Sequence, residues 1–154
     1  MGSVNLRWAT ASDTDDVLDL LQAYHRQEGF GRASTPRLRA LLEDLFESPS
    51  RGKIVLATID DEAVGYALLV RRYSFEFASQ LAVLDEIFVK GKARERGLGR
   101  RMITFCEEYA ASEGLPAIIL EVPVRNVAAR EFYRSVGFQR IDREIYMRQI
   151  RTPR

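Results

Sequence analysis

Three apolar runs follow one another in the middle of the chain: KIVLATI (53–59), AVGYALLV (63–70) and QLAVLDEIFV (80–89). Each is rich in β-branched residues and bounded by polar positions, so each reads as a strand. Asp60-Asp61-Glu62 makes a hairpin of the first two. A chain with such a centre must build a sheet around it. Residues 4–9 read as a further short strand, and Ser12 with Asp15 three residues on is a capping-box-like helix start. That helix carries Val17, Leu18, Leu21 and Tyr24 on one face, and EGFGRAS (28–34) breaks it. Thr35-Pro36 then caps a second helix with a stripe of Leu38, Leu41, Leu42, Leu45 and Phe46. A third helix starts at Leu98, with Met102, Phe105, Cys106, Tyr109 and Ala110 on the same face, and Gly114-Leu115-Pro116 ends it. AIILEV (117–122) reads as a buried strand. Residues 126–136 read as a helix stopped by Gly137, and FQRI (138–141) and EIYMRQI (144–150) as closing strands. The order β-α-α-β-β-β-α-β-α-β-β predicts an α/β fold over residues 4–150. It is a single domain with one mixed sheet of about seven strands and about four helices on its two faces.

Charge and cysteine content narrow the function classes. The 154 residues carry a formal net charge of only +1, so no global field draws the chain to nucleic acid or to a membrane. The lone Cys106 allows neither an internal disulfide nor a cysteine-rich metal site, and the expectation is a cytoplasmic protein without a metal. No apolar run approaches bilayer length. The first residues lack the apolar core of a signal peptide, and Leu6 stands where a myristoylation site wants Ser or Thr.

One stretch stands out against this even background. ARERGLGRRM (93–102) places a basic, glycine-punctuated turn directly before the third helix. Glycine lets a backbone approach an anion closely, and a helix N-terminus offers N–H groups and a positive dipole end. The dinucleotide fingerprint would need glycine where Met102 stands, and no Gly-Lys-Ser/Thr of a P-loop follows. What remains is R-x-x-G-x-G, from Arg94 to Gly99. Lys90, Lys92, Arg94, Arg96, Arg100 and Arg101 face only Glu95 in sign, which also fits a solvated loop. Nucleic acid would want interleaved aromatic residues for stacking, and there are none here.

R-x-x-G-x-G between a strand and a helix resembles the acyl-CoA signature of the GNAT superfamily of N-acyltransferases. Two further segments carry the resemblance: DEIFV (85–89) resembles the strand before that signature, and NVAAREFYRSVGF (126–138) resembles the N-x-x-A-x-x-x-Y-x-x-x-G-F segment. With the element order, the likeness covers nearly the whole chain. More narrowly, SFEF (74–77) followed by LDEIFV looks like a group of small bacterial acetyltransferases. The resemblance implies that the anion is the pyrophosphate of acetyl-CoA. Main-chain N–H groups of Arg94, Glu95, Arg96, Gly97, Leu98, Gly99 and Arg100 would hold it. It also implies that main-chain groups of Phe88 and Val89 pair with the pantetheine arm, and that Asn126 touches that arm or fixes a strand splay. A homodimer through the C-terminal strands belongs to the same expectation.

Acyl transfer to an amine needs a neutral amine, a stabilised oxyanion and a protonated leaving sulfur. Deprotonating a lysine-like amine at pH 7 costs about 4.6 kcal/mol. A carboxylate acting directly or through water recovers roughly 10²–10⁴ in rate. Tyr133 matches the family's tyrosine by its spacing from Asn126 and Gly137, which implies the acid that protonates the sulfur; its place on an apolar helix face also fits a core residue. Asp85, Glu86 and Glu121 are the candidate bases, each equally able to form a structural ion pair with an arginine. Asp85 and Glu86 should point to opposite faces unless a bulge intervenes. Cys106 sits on a helix stripe and reads as core, Trp8 likewise, and His25 as a packed or solvated residue. YHRQEGFGRASTP (24–36) and RRYSFEFASQ (71–80) read as loops forming the acceptor side. There Asp85 and Glu86, joined by Glu28 and Glu76, would make an acidic mouth. The expected acceptor is a cationic amine on a small molecule or peptide, with no nucleic acid or membrane partner. The leading expectation is direct transfer in a ternary complex; the alternative is a CoA-binding sensor module on the same fold.

Overall fold

The structure, a computed structural model, describes residues 2–31 and 33–151. Its contacts fall into two compact units, Met1–Glu121 and Val122–Arg154. The first holds a five-stranded sheet in the order β1 (Val4–Trp8), β2 (Gly52–Ile59), β3 (Glu62–Ser74), β4 (Ser79–Val89) and β5 (Ile118–Ile119). The first three pairings are antiparallel and β4 with β5 is parallel, so the sheet is mixed, as expected. Asp60 and Asp61 both have positive φ, 49° and 66°, and link Ile59 to Glu62 in the tight two-residue hairpin that the twist of antiparallel strands favours.

Helices α1 (Thr14–Glu28) and α2 (Thr35–Glu47) bury their apolar stripes on one face of the sheet, against Ile54, Leu56, Tyr66 and Phe88. Strand alternation turns Val55 to the other face with its partner Trp8, whose ring meets Phe105 and Tyr109 of α3 (Leu98–Ser112) at 5.0 and 4.9 Å. Cys106 lies on that α3 face, and burial pushes its thiol up to about 12, so it behaves as core and not as a nucleophile.

Several element boundaries differ from the sequence reading. The capping box is Thr10 with Asp13, not Ser12 with Asp15. Asp13 Oδ2 accepts from the Thr10 amide at 2.8 Å, and a 3₁₀ turn at Ala11–Asp13 precedes α1. Asp13 is drawn there because it also takes both arms of Arg7, at 2.8 Å each. Residues 71–80 are not a loop. The β3–β4 hairpin continues through Arg71↔Ala82, Arg72↔Leu81 and Tyr73↔Gln80, leaving only 75–78 as its tip. Arg71 is anchored on the α3 face by Tyr109 Oη and Glu113, both at 2.8 Å, which holds the strand straight.

The strand expected over 117–122 shrinks to Ile118–Ile119, since only Ala82 and Val83 of β4 meet it. In the second unit, α4 (Val127–Ser135) is present. The two closing strands are not formed: residues 138–151 make no ladder among the described residues, and Ile145, Tyr146, Met147 and Ile150 are exposed. Apolar residues supply a surface to bury, but a strand also needs a partner for its N–H and C=O groups. The sheet therefore has five strands rather than seven, within the same α/β class.

Candidate active site

The site is built where β4 changes face. Leu84 pairs with Leu69, and Glu86 pairs with Leu68, so Asp85 is an extra residue in the ladder. Leu69 and Leu68 lie on opposite faces, so this one-residue bulge turns Glu86 away from the face that Leu84 occupies and toward α1. Asp85 is left exposed. Glu86 enters an aromatic cluster in which Tyr24 and Phe88 lie 5.6 Å apart and Tyr66 and Phe88 6.3 Å apart.

A carboxylate in such surroundings needs donors, and two are supplied. His25 Nε2 lies 2.8 Å from Glu86 Oε2, and the Tyr66 hydroxyl donates to Oε1 at 3.2 Å. The side chains of His25 and Glu86 are 19% and 17% exposed, sheltered yet reachable from solvent. Burial first, and then the Glu86 charge, push the Tyr66 hydroxyl far above its ordinary range, so Tyr66 stays protonated and donates. His25 was read from the sequence as a packed or solvated residue. The signal that it belongs to the site, its contact with a residue 61 positions away, is not local. The same holds for Tyr66, which looked like ordinary strand core.

The other candidate residues are not gathered there. Glu121 lies beyond the shortened β5 and is exposed. Glu76 is at the hairpin tip, beyond Ser79; seven residues of strand separate Ser79 from Glu86, roughly 23 Å. It cannot share an acidic mouth with Glu86. Glu28 is half-buried at the end of α1, which Gly29 closes in the left-handed conformation at φ 73°.

After Val89, β4 runs into a 3₁₀ turn at Gly91–Arg96, which holds Arg94, Glu95 and Arg96, and then into α3. Gly97 caps that helix at φ 68°, and no side chain caps its N-terminus. The first main-chain bond of the helix runs from the Arg101 amide to the Gly97 carbonyl at 3.1 Å, so the amides of Leu98 and Gly99 precede it, with Arg100 in the same turn. A Cβ placed on Gly97 would meet nothing within 4 Å: the space before the helix is open, and an anion there would have the backbone directly in front of it. Arg94 turns its side chain inward. Its Nε donates to the Val89 carbonyl at 2.9 Å, its guanidinium lies 5.9 Å over Phe88, and it is bonded to Gln27 of α1.

The outer edge of β4 is also legible. β5 covers only Ala82 and Val83, so Leu84 to Val89 have no strand partner on that side among the described residues. The Lys90 amide donates to the Val64 carbonyl at 2.8 Å. Alternation then assigns the Phe88 main chain to β3 and turns those of Ile87 and Val89 outward. Of the two residues expected to meet a pantetheine arm, Val89 faces the open edge and Phe88 does not.

In the second unit, Asn126 caps α4, its Oδ1 accepting from the Ala129 amide at 3.1 Å. Tyr133 is half-buried, with its ring 5.4 Å from Phe132 and 5.9 Å from Phe138. Among the described residues there is no cluster of three or more His, Cys, Asp or Glu side chains fit for a metal.

The profile of the Acetyltransferase (GNAT) family matches residues 14–138. The chain is 26% identical over 139 residues to the uncharacterized N-acetyltransferase YhfO of Bacillus subtilis, covering 88% of this chain and 90% of that protein. It is 29% identical over 126 residues to the thialysine N-epsilon-acetyltransferase of Bos taurus, covering 80% and 68%. Among solved structures, the aminoglycoside N-acetyltransferase AAC(6')-Iy in complex with CoA superposes with a TM-score of 0.84 at 18% identity, over 97% of this chain and 96% of that one. The chain belongs to the GNAT family and is an acyl-CoA-dependent acetyltransferase.

Proposed function

We propose that the protein transfers an acetyl group from acetyl-CoA to the primary amine of a cationic small molecule or peptide, directly and within a ternary complex. The observation that carries this is the strand β4. It carries one site, the Glu86 carboxylate held by His25 and Tyr66, and leads through the turn at Gly91–Arg96 to a second, the open helix N-terminus at Gly97. The first suits removal of a proton from an amine, the second suits a pyrophosphate. Main-chain groups of residues 94–100 would hold the phosphates, and the outward groups of Val89 the pantetheine arm. By resemblance, Asn126 lies near that arm and Tyr133 protonates the departing sulfur. We read residues 4–150 as a single acetyltransferase domain, because the family match crosses the boundary between the two units.

A cationic acceptor fits the chemistry around Glu86. Carboxylates at Asp85 and Glu86 attract an ammonium, and aromatic faces such as Tyr24 and Phe30 favour a cation beside them. The relatives named for thialysine and aminoglycosides act on amines, which supports the same class. The test combines titration calorimetry against acetyl-CoA with a free-thiol release assay over polyamines, lysine-bearing peptides and aminoglycosides. Saturable binding and amine-dependent thiol release are expected. Binding without release across the panel would reject the amine acceptor.

A further inference from the structure

His25 is the single histidine of the chain, and a carboxylate stands behind its ring. Glu86 Oε2 lies 2.8 Å from Nε2, and Tyr66 donates to the other oxygen at 3.2 Å. An ionised Glu86 can only accept, and a protonated Tyr66 donates to it. A neutral His25 must therefore present Nε2–H to Glu86 and keep its lone pair on Nδ1. No hydrogen bond to Nδ1 is formed among the described residues. Tyr24 and Phe30 each lie 5.8 Å from the ring and 6.0 Å from one another, so the three rings pack as a triangle. Of the charged and titratable groups, Glu86 from β4 meets the ring directly and Tyr24 from α1 packs against it, while Tyr66 from β3 reaches the cluster through Glu86, and Asp85 of β4 acts electrostatically on Tyr66. A carboxylate on one ring nitrogen and a lone pair on the other is the arrangement by which an imidazole takes a proton and has the resulting charge stabilised.

We propose that His25, oriented by Glu86, accepts the proton that the acceptor ammonium must lose before it attacks. This rests on the acetyl-transfer reading above and assigns its base. One ammonium N–H bond breaks, the electron pair stays on nitrogen, and the proton goes to Nδ1. The neutral amine forms the C–N bond to the acetyl carbon as the C–S bond breaks. Tyr133 protonates the departing sulfur to a thiol, the second amine proton restores the Tyr133 phenol, and the imidazolium returns its proton to water. Glu86 is then a positioning residue that holds the Nε2–H of the ring and faces the charge the ring gains.

The test uses the full, untagged chain, so that His25 gives the only histidine Hε1 resonance. His25→Gln keeps an amide donor for Glu86 but cannot take a proton. It is expected to lower kcat/KM for the amine about 10²-fold at pH 7 and several-fold less at pH 9, with the KM for acetyl-CoA within about twofold. The acidic limb of the wild-type pH–rate profile should coincide with the His25 titration followed by NMR and vanish in His25→Gln. Glu86→Gln should move the acidic limb and the NMR-followed His25 signal together. A limb that persists in His25→Gln, or a His25 titration indifferent to Glu86→Gln, overturns the assignment and leaves acetyl transfer standing. A wild-type protein that acetylates no amine overturns the acetyl-transfer reading and this inference with it.

Discussion

At the scale of single residues, the pair His25–Glu86 and the tyrosine Tyr133 are the points where chemistry can be probed. Glu86 is mostly sheltered and accepts two hydrogen bonds, so replacing it by Gln removes charge while keeping size. Glu86→Gln should lower kcat/KM roughly 10²-fold at pH 7 and by less at pH 9, where more amine is already neutral. An equal loss at both pH values would assign Glu86 to acceptor binding instead. Tyr133→Phe should leave acetyl-CoA affinity unchanged and reduce kcat at least about tenfold, since a donor to the leaving sulfur matters only as the C–S bond breaks. Steady-state kinetics with one good amine separates these outcomes, and wild-type turnover would make Tyr133 a packing residue beside Phe132 and Phe138.

At the scale of elements, two helix starts do different work. At α3, Gly97 has φ 68° and open space before it. Gly97→Val forces a branched side chain into the left-handed region, a cost of about 1–2 kcal/mol, and fills the approach to the helix N-terminus. The expected result in calorimetry is a folded protein that no longer binds acetyl-CoA; retained affinity would remove the phosphate role of this turn. At α1 the start is structural. The hydrogen bond from Arg7, helped by the Thr10 amide, lowers the Asp13 carboxyl to about 2 against the burial that raises it. A depressed carboxylate contributes stability above its ordinary pKa and loses it as pH falls through the folded value. Between about pH 4 and pH 2 the protein should therefore lose this contribution, about 1–2 kcal/mol after allowing for the partly exposed Arg7. Asp13→Asn should show that loss already at pH 7 in urea unfolding, and a flatter acid limb.

At the scale of the whole chain, the near-neutral charge and ordinary composition say little about a substrate. What narrows it is the division of the sheet into two faces. The α3 face is closed by Trp8, Phe105, Tyr109 and the anchored Arg71, and is packing. The α1 face carries the polar cluster, because burying Glu86 there is compensated by His25 and Tyr66. No described helix is long and apolar enough to cross a membrane. The family relation carries the reaction class.

Local chemistry determined much of this protein. The apolar runs of 53–59 and 63–70, the period of 3.6 in α1, α2 and α3, the Asp-Asp turn and the R-x-x-G-x-G loop each depend on neighbours within a turn or two. They place the sheet, three of its helices and the Gly97 turn correctly from sequence. Tertiary structure decided the rest. Asp85 and Glu86 are adjacent and chemically alike, and only the slip in the β3–β4 ladder separates an exposed acid from a site carboxylate. The partner of Glu86, His25, is 61 residues away, a contact that exists only once α1 packs on the sheet. The strand reading of 144–150 rested on local residues just as that of 53–59 did. A strand, however, is completed by hydrogen bonds to another strand, and the described chain supplies that partner to one segment and not to the other.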